Sequence, residues 1–279
     1  MNEPQPSFEL TITPPKGLVR INWLELWRYR ELFYIFVWRD VKVRYKQTFL
    51  GIAWAIFQPL VTMLIFTVFF GRIAHIPSDN IPYPIFVYTG LLFWTYYLSA
   101  LTNATSSLVE NENIVKKVYF PRLVLPISTT ITPLIDFLAA LIVLFGLMAY
   151  YHYVPKIGGI IAIPLVLFVA TVAASGLGLF LASLNAKFRD VRYALPFFLQ
   201  LLLYITPVIY PITLIPQKFQ WILYLNPMTG VISVIRKLML GSGTIEWHYV
   251  SISIISSIVA FILGVAYFRK TERFFADVI

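Results

Sequence analysis

Few residues in this 279-residue chain could carry chemistry. There is no cysteine, so neither a disulfide framework nor a thiolate metal site can form. Its three histidines, His75, His152 and His248, are scattered and make no cluster. No Gly-Lys dipeptide occurs, and so there is no glycine-rich loop that cradles a phosphate on its amides and adds a lysine. The chain cannot bind and hydrolyse ATP in that way by itself. Asp136 is the one acid inside a long apolar run. A carboxylate at such a place faces protein or water and marks either a path or a structural pair. Beside Thr132 and Pro133 it could equally pin a broken helix. No second ionisable group accompanies it, so a proton relay is not suggested. The remaining signals are clusters of charge at the ends of apolar segments.

The composition says what must position these groups. Charged residues are 13% and apolar residues 59%, with 17% aromatic; an average soluble domain carries about 25% charged and 45–50% apolar residues. An ordinary soluble domain and a disordered chain are both excluded. A helix needs about 20 apolar residues to cross a bilayer. The charge-free runs predict an all-α integral membrane protein with six spans, at about 51–71, 85–107, 123–151, 157–184, 193–210 and 247–268. Phe219–Ile235 is also apolar, but Asn226-Pro227 interrupts it, and Pro207, Pro211 and Pro216 precede it. Proline removes a helical hydrogen bond. Region 206–237 is therefore expected to form re-entrant or interfacial broken helices on the outer face, a geometry tolerated only where protein or water covers the backbone.

Charge placement orients these spans. The net charge is +9, from 22 Lys and Arg against 13 Asp and Glu. With both termini inside, seventeen of the 22 cations fall on cytoplasmic segments and only Arg72, Lys156, Lys218, Arg236 and Lys237 fall outside. A seventh span would put the Arg269–Arg273 tail outside, so six is the better count. The start of the chain carries Glu3, Glu9 and four prolines without an apolar core. It does not resemble a signal peptide, and residues 1–21 are expected to be a flexible cytoplasmic lead. No internal repeat is evident.

Two cytoplasmic segments concentrate the charge. Over 22–49, Tyr34, Val37, Trp38, Val41 and Tyr45 share one stripe at helical spacing while Glu31, Arg39, Lys42 and Lys46 gather on another arc. This predicts an amphipathic interface helix facing lipid headgroups or an acidic partner; a plain stop-transfer anchor is the alternative. Nucleic acid does not suit a stripe so rich in Trp and Tyr. The loop 108–122 holds Glu110, Asn111, Glu112, Asn113, Ile114, Val115, Lys116 and Lys117 ahead of Pro121. Acids first and bases last complement a helix dipole. A short capped helix protruding from a membrane protein would be a docking knob for a cytoplasmic partner, against the alternative of a solvated loop.

Several stretches resemble the permease subunits of ABC-2 type polysaccharide exporters. Arg44–Gly51 (RYKQTFLG), continuing through Trp54-Ala55 to Pro59, is similar to that family's approach to its first span. Asn113–Pro126 (NIVKKVYFPRLVLP) resembles its coupling loop, Asn185–Val191 (NAKFRDV) its second cytoplasmic loop, and Thr206–Pro211 (TPVIYP) with Leu225–Met228 (LNPM) its external gate. These motifs occur in the family's order across about residues 28–270.

The resemblance implies the ABC-2 exporter fold in the bacterial cytoplasmic membrane and a homodimer with the path between its copies. It also implies two copies of a separate ATPase subunit, which carry the ATP and Mg, this chain having no cofactor of its own. That subunit would take Glu110–Lys117, and with it the interface helix bearing Arg39 and Lys42, into a surface groove. The cargo implied is an undecaprenyl-linked polysaccharide, O-antigen first, with teichoic acid or capsular polysaccharide as alternatives. A membrane enzyme acting on lipid-linked sugars would need clustered carboxylates, and the external loops offer only Asp79 and Glu246. An ion-coupled secondary transporter has no repeat and one intramembrane charge to support it.

A sliding glycan would need aromatic rings for stacking without tight binding. Trp54, Phe57, Trp94, Tyr97 and Tyr204 are the channel candidates, the alternative for each being an interface belt or lipid-facing bulk. Pro207, Tyr210, Pro211, Asn226 and Pro227 are the candidates for an external gate, the alternative being a passive lid.

Overall fold

Prolines decide where most of the helices start, break and stop. The computed structural model describes residues 27–46 and 51–275; the expected lead 1–21, the first residues of the expected interface helix and Gln47–Leu50 lie outside the described residues. Helix α1, Arg30–Lys46, precedes α2, Gly51–Phe66, which loosens into π-helical turns over Thr67–Ile73. Helix α3, Tyr83–Glu110, follows Pro82 and keeps Pro84 in its first turn, where a missing N–H costs nothing. The short α4 is Glu112–Lys117. The expected span at 123–151 is two helices, α5 (Val124–Ile131) and α6 (Leu134–Tyr150), parted at Thr132-Pro133. Then come α7 (Ile157–Lys187), α8 (Val191–Ile205), α9 (Gln217–Tyr224), α10 (Pro227–Ile235) and α11 (Trp247–Thr271). No strand occurs among the described residues.

Among the described residues, five stretches are long and apolar enough to cross a membrane: Ala53–Ile73, Tyr83–Glu110, Val124–Tyr150, Ile157–Lys187 and Trp247–Thr271. The sixth expected span, placed at 193–210, is α8 and ends at Ile205. A residue before proline is pushed out of the helical region, and Thr206, ahead of Pro207, is extended with ψ 138°. The 15 residues of α8 reach about 22 Å, short of a hydrocarbon core of about 30 Å.

Helix α3 is the axis of the bundle. Its most apolar stretch is 78% buried, against 17–33% for the other four, so its residues face protein all round while its neighbours keep one outward side. Its 28 residues extend about 42 Å, long enough to carry α4 beyond the bilayer surface. Helix α7 packs between α3 and α11. Its contact with α11 depends on absent side chains: a Cβ on Gly264 would land on the Gly176 carbonyl, and one on Gly176 would meet the Phe261 backbone. Small residues let membrane helices approach this closely and gain dispersion contact that lipid would otherwise supply.

A second apolar cluster gathers at the basic end. Phe36 of α1, Leu108 of α3, Val115 of α4, Phe120, Leu123–Leu125, Leu179 and Ala182 of α7, and Val265 and Phe268 of α11 bury one another there. Arg122 donates to the Glu272 carbonyl at 2.5 Å, fastening the α4–α5 loop to the end of α11.

Region 206–237 is broken as expected, into a 3-10 turn at Ile212–Leu214 and helices α9 and α10. Pro227 occupies the first turn of α10 and the Asn226 side chain caps it, accepting from the Met228 amide at 3.1 Å. Serine hydroxyls of α11 hold the junction of α9 and α10: Ser253 donates to the Tyr224 carbonyl at 2.7 Å and Ser256 to that of Leu225 at 2.6 Å.

Candidate functional site

The expected docking knob is built on α3 itself. Asn111 ends α3 by donating its side-chain amide to the Ser107 carbonyl at 2.8 Å, and the chain turns directly into α4. Val115 points inward into the basic-end cluster and anchors the turn. Glu110, Asn113, Lys116 and Lys117 face out, while Asn111, Glu112 and Ile114 are half-buried. Glu112 and Lys116 pair at 3.8 Å across one turn. Val118 and Tyr119, just beyond the expected helix, are exposed apolar residues on the same knob. Sequence reasoning passed over them because the charge pattern stopped at Lys117. Lys187, Phe188, Arg189 and Asp190, the α7–α8 connection, are exposed as well.

Helix α1 departs from the expected pattern. The side turned to the protein is Tyr29, Leu32, Phe33 and Phe36, with the Phe36 and Phe120 rings 5.7 Å apart. Tyr34 and Trp38, expected on one stripe with Val37, Val41 and Tyr45, lie exposed, while those three are half-buried. The helix therefore has two apolar sides, because it packs on α5 as well as presenting rings outward. Arg39 pairs with Asp40 at 2.8 Å, and the Lys42 ammonium sits over the Trp38 ring at 4.3 Å.

Asp136 belongs to a structural pair rather than standing alone. It sits in the first turn of α6, just after the Pro133 break. The Arg44 guanidinium lies 2.8 Å from one carboxylate oxygen, and the Tyr45 hydroxyl donates to the other at 2.5 Å. Both partners are at the end of α1, so one carboxylate ties α1 to the broken span. Burial, and then this hydrogen bond, push the Tyr45 phenol upward from its ordinary value, keeping it a protonated donor. Beside the pair, a cavity of about 350 Å³ lies between α2, α3 and α6, with Trp54, Gln58, Thr95 and Ser99 on its wall.

The channel candidates divide. Trp54 and Phe57 are each 55% exposed on α2 with rings 5.8 Å apart, and Tyr204 on α8 is 49% exposed. Trp94 and Tyr97 are 2% and 0% exposed inside the bundle. Neither ring is open to a sugar face in this structure, because α3 is enclosed by its neighbours. Tyr96, a neighbour on the same helix, is likewise committed, its hydroxyl bonded to Thr171 at 2.5 Å.

Two of the gate candidates, Pro207 and Pro211, lie beside a residue that the sequence placed outside as an ordinary surface cation. Arg236 is fully sequestered: its guanidinium donates to the carbonyls of Phe86 at 2.9 Å, Pro207 at 2.6 Å and Val208 at 2.5 Å, and stacks on the Phe86 ring at 3.6 Å. Pro207 and Pro211 are buried beside it, Pro227 is buried at the far end of α10, and Asn226 and Tyr210 are half-buried. The Asn226 amide donates to the Thr206 hydroxyl at 2.7 Å, and the Tyr210 hydroxyl to the Ile205 carbonyl at 2.7 Å. The segment expected to hinge is thus clamped between α3 and α10. The available signal was an arginine, followed directly by Lys237, at the end of the uncharged run Phe219–Ile235.

A family model described as ABC-2 type transporter matches residues 31–240. The O-antigen export system permease protein RfbA of Klebsiella pneumoniae is 30% identical over 249 residues, covering 89% of this chain and 95% of that protein. The RfbA protein of Myxococcus xanthus is 31% identical over 212 residues, or 75% of this chain and 80% of that one. The polysialic acid transport protein KpsM of Escherichia coli is 24% identical over 241 residues, covering 84% and 91%.

Proposed function

The chain belongs to the ABC-2 type transporter family, and from that membership we propose that it is the membrane-spanning subunit of an ATP-driven exporter of a lipid-linked polysaccharide of the O-antigen type. The observation that carries this is the knob at the end of α3: an anchored Val115 with charged and apolar residues turned outward. It supplies a rigid lever from a separate ATPase to the central helix of the bundle. ATP and Mg stay on that subunit. Two copies of the chain, each with its ATPase, would place the path between them in the cytoplasmic membrane, both termini inside and α8 with the following segment serving as the sixth crossing. The relatives named for O-antigen export outrank in identity the one named for polysialic acid transport, which supports O-antigen over capsule as cargo.

Exposed Trp54, Phe57 and Tyr204 are the rings left for a sliding glycan to stack on. Outside, the clamped segment around Pro207–Pro211 serves as the closed gate. The exposed rings of α1, Tyr34 and Trp38, suit the headgroup layer.

Replacing Glu112, Lys116 and Lys117 together with alanine tests the docking assignment. Co-purification of the ATPase with the chain should fall by about tenfold, the worth of some 1.4 kcal/mol, while the amount of chain in the membrane stays the same. Adding Val118→Ser and Tyr119→Ser should weaken association further, since exposed apolar and aromatic residues carry most of an interface's affinity. Undiminished co-purification of both variants would remove the knob from the interface.

A further inference from the structure

The cavity beside Asp136 has the character of a binding site that the helix packing alone does not call for. It lies along the first turns of α2, between Gly51 and Pro59, about 12 Å of helix at the basic end of a span. That is the α1 end of the apolar stretch Ala53–Ile73. Its wall is mostly apolar but carries a few uncharged polar side chains. Gln58, Thr95 and Ser99 make no side-chain hydrogen bond among the described residues. Thr95 and Ser99 are one helical turn apart and share a face of α3. Trp54 edges the opening, and the Arg44–Asp136 pair closes one end. Thr95 and Ser99 are half-buried and Gln58 is exposed, so their polar groups are open to a ligand's. An amide and two hydroxyls beside an exposed indole are what a sugar ring's hydroxyls and apolar face would meet, while the guanidinium suits a phosphate.

We propose that this cavity holds the headgroup end of the exported lipid, its phosphate against Arg44 and its first sugar against Trp54, Gln58, Thr95 and Ser99. This rests on the exporter reading above and adds to it a loading site within one copy of the chain. Asp136 is a positioning residue here. It holds Arg44 at the end of the cavity when no lipid is present and keeps α1 against the broken span. The chemistry recognised is a phosphate joined to a sugar; the cavity's place along the first turns of a stretch apolar enough to cross a membrane assigns the membrane-held form rather than a soluble one.

The test uses the full complex with its ATPase in lipid nanodiscs and a fluorescent polyprenyl-pyrophosphoryl sugar as probe. The double variant Thr95→Val with Ser99→Ala, which keeps volume and removes both hydroxyls, should bind the probe about tenfold more weakly than wild type. Equal thermal unfolding midpoints establish that both are folded. Should that pair fail to fold, Gln58→Leu at an exposed position decides, with about a fivefold loss expected. Neither N-acetylglucosamine 1-phosphate nor phosphatidylglycerol should displace the probe at matching concentration. Unchanged affinity in the folded variant overturns the proposal. Displacement by the soluble sugar phosphate overturns the membrane-held source, and displacement by phosphatidylglycerol overturns recognition of the sugar. A wild-type complex that neither binds the probe nor exports glycan would count against the exporter reading itself. One that exports while the variant binds as well as wild type counts against the cavity alone.

Discussion

Arg236→Met is expected to open the outer segment of the protein and to cost about 4 kcal/mol of stability. Methionine fills a similar volume but donates nothing. The carbonyls of Pro207 and Val208, now bonded to the guanidinium, would be left buried and unpaired at about 1–3 kcal/mol each, and that of Phe86 would keep only its helical partner. The ring contact with Phe86 at 3.6 Å would lose its cation. Arg236→Lys should fall between, keeping the charge but lacking the planar fork that reaches three carbonyls. The absence of cysteine in the chain makes the measurement direct. A single Val208→Cys, at a position that is fully buried, should resist a membrane-impermeant maleimide in the Arg236 background and react readily once Arg236→Met is added. If it remains protected in both, Arg236 does not hold the segment closed.

Gly264→Val should do comparable damage at the centre of the bundle. The position a Cβ would take is occupied by the Gly176 carbonyl oxygen, a backbone atom with no rotamer to escape into. The helices α7 and α11 must separate or shear, and overpacking of this kind costs on the order of 3 kcal/mol or more. Gly146→Ala supplies the contrast. A Cβ there meets nothing within 4 Å, so the change should be neutral or slightly stabilising through helix propensity. Monodispersity on size exclusion and the thermal midpoint in detergent distinguish the two. Equal behaviour of the two variants would mean that α7 and α11 are not in the contact described.

These two positions also show how far the sequence could be read. Apolar run lengths and proline positions locate the long helices and the broken outer region, because both rules act locally. The same local rule would have ended the fifth run at Thr206 instead of 210 and parted the third at Thr132-Pro133, but it would also have broken the helices that continue through Pro59, Pro164 and Pro196. What could not be read is pairing across the chain. Asp136 is legible as an unusual acid, but its partner Tyr45 lies 91 residues away, and nothing in its neighbourhood names it. Trp94 and Tyr97 look the same as Trp54 and Phe57 by type and spacing. Only the enclosure of α3 on all sides separates buried rings from exposed ones. Arg236 was legible as a charge and not as a clamp, since its three acceptors are backbone carbonyls, which every sequence supplies.

The docking knob joins the two levels. Its charges could be read from the sequence, whereas its mechanical value depends on α3 being both the axis of the bundle and the helix that carries α4. A push at Lys116 and Lys117 would reach the helix whose Phe86 carbonyl receives the Arg236 clamp. One rigid element thus runs from the proposed ATPase contact to the proposed outer gate.

The most direct measurement is the fate of the polymer when the chain is removed from its host. With the gene deleted and the ATPase still produced, surface polysaccharide should disappear and polymer-loaded lipid carrier should accumulate on the inner side of the cytoplasmic membrane, both reversed by the wild-type chain but not by Arg236→Met. Surface polysaccharide at its normal level in the deletion strain, with no loaded carrier inside, would contradict export of a lipid-linked glycan as the work of this chain.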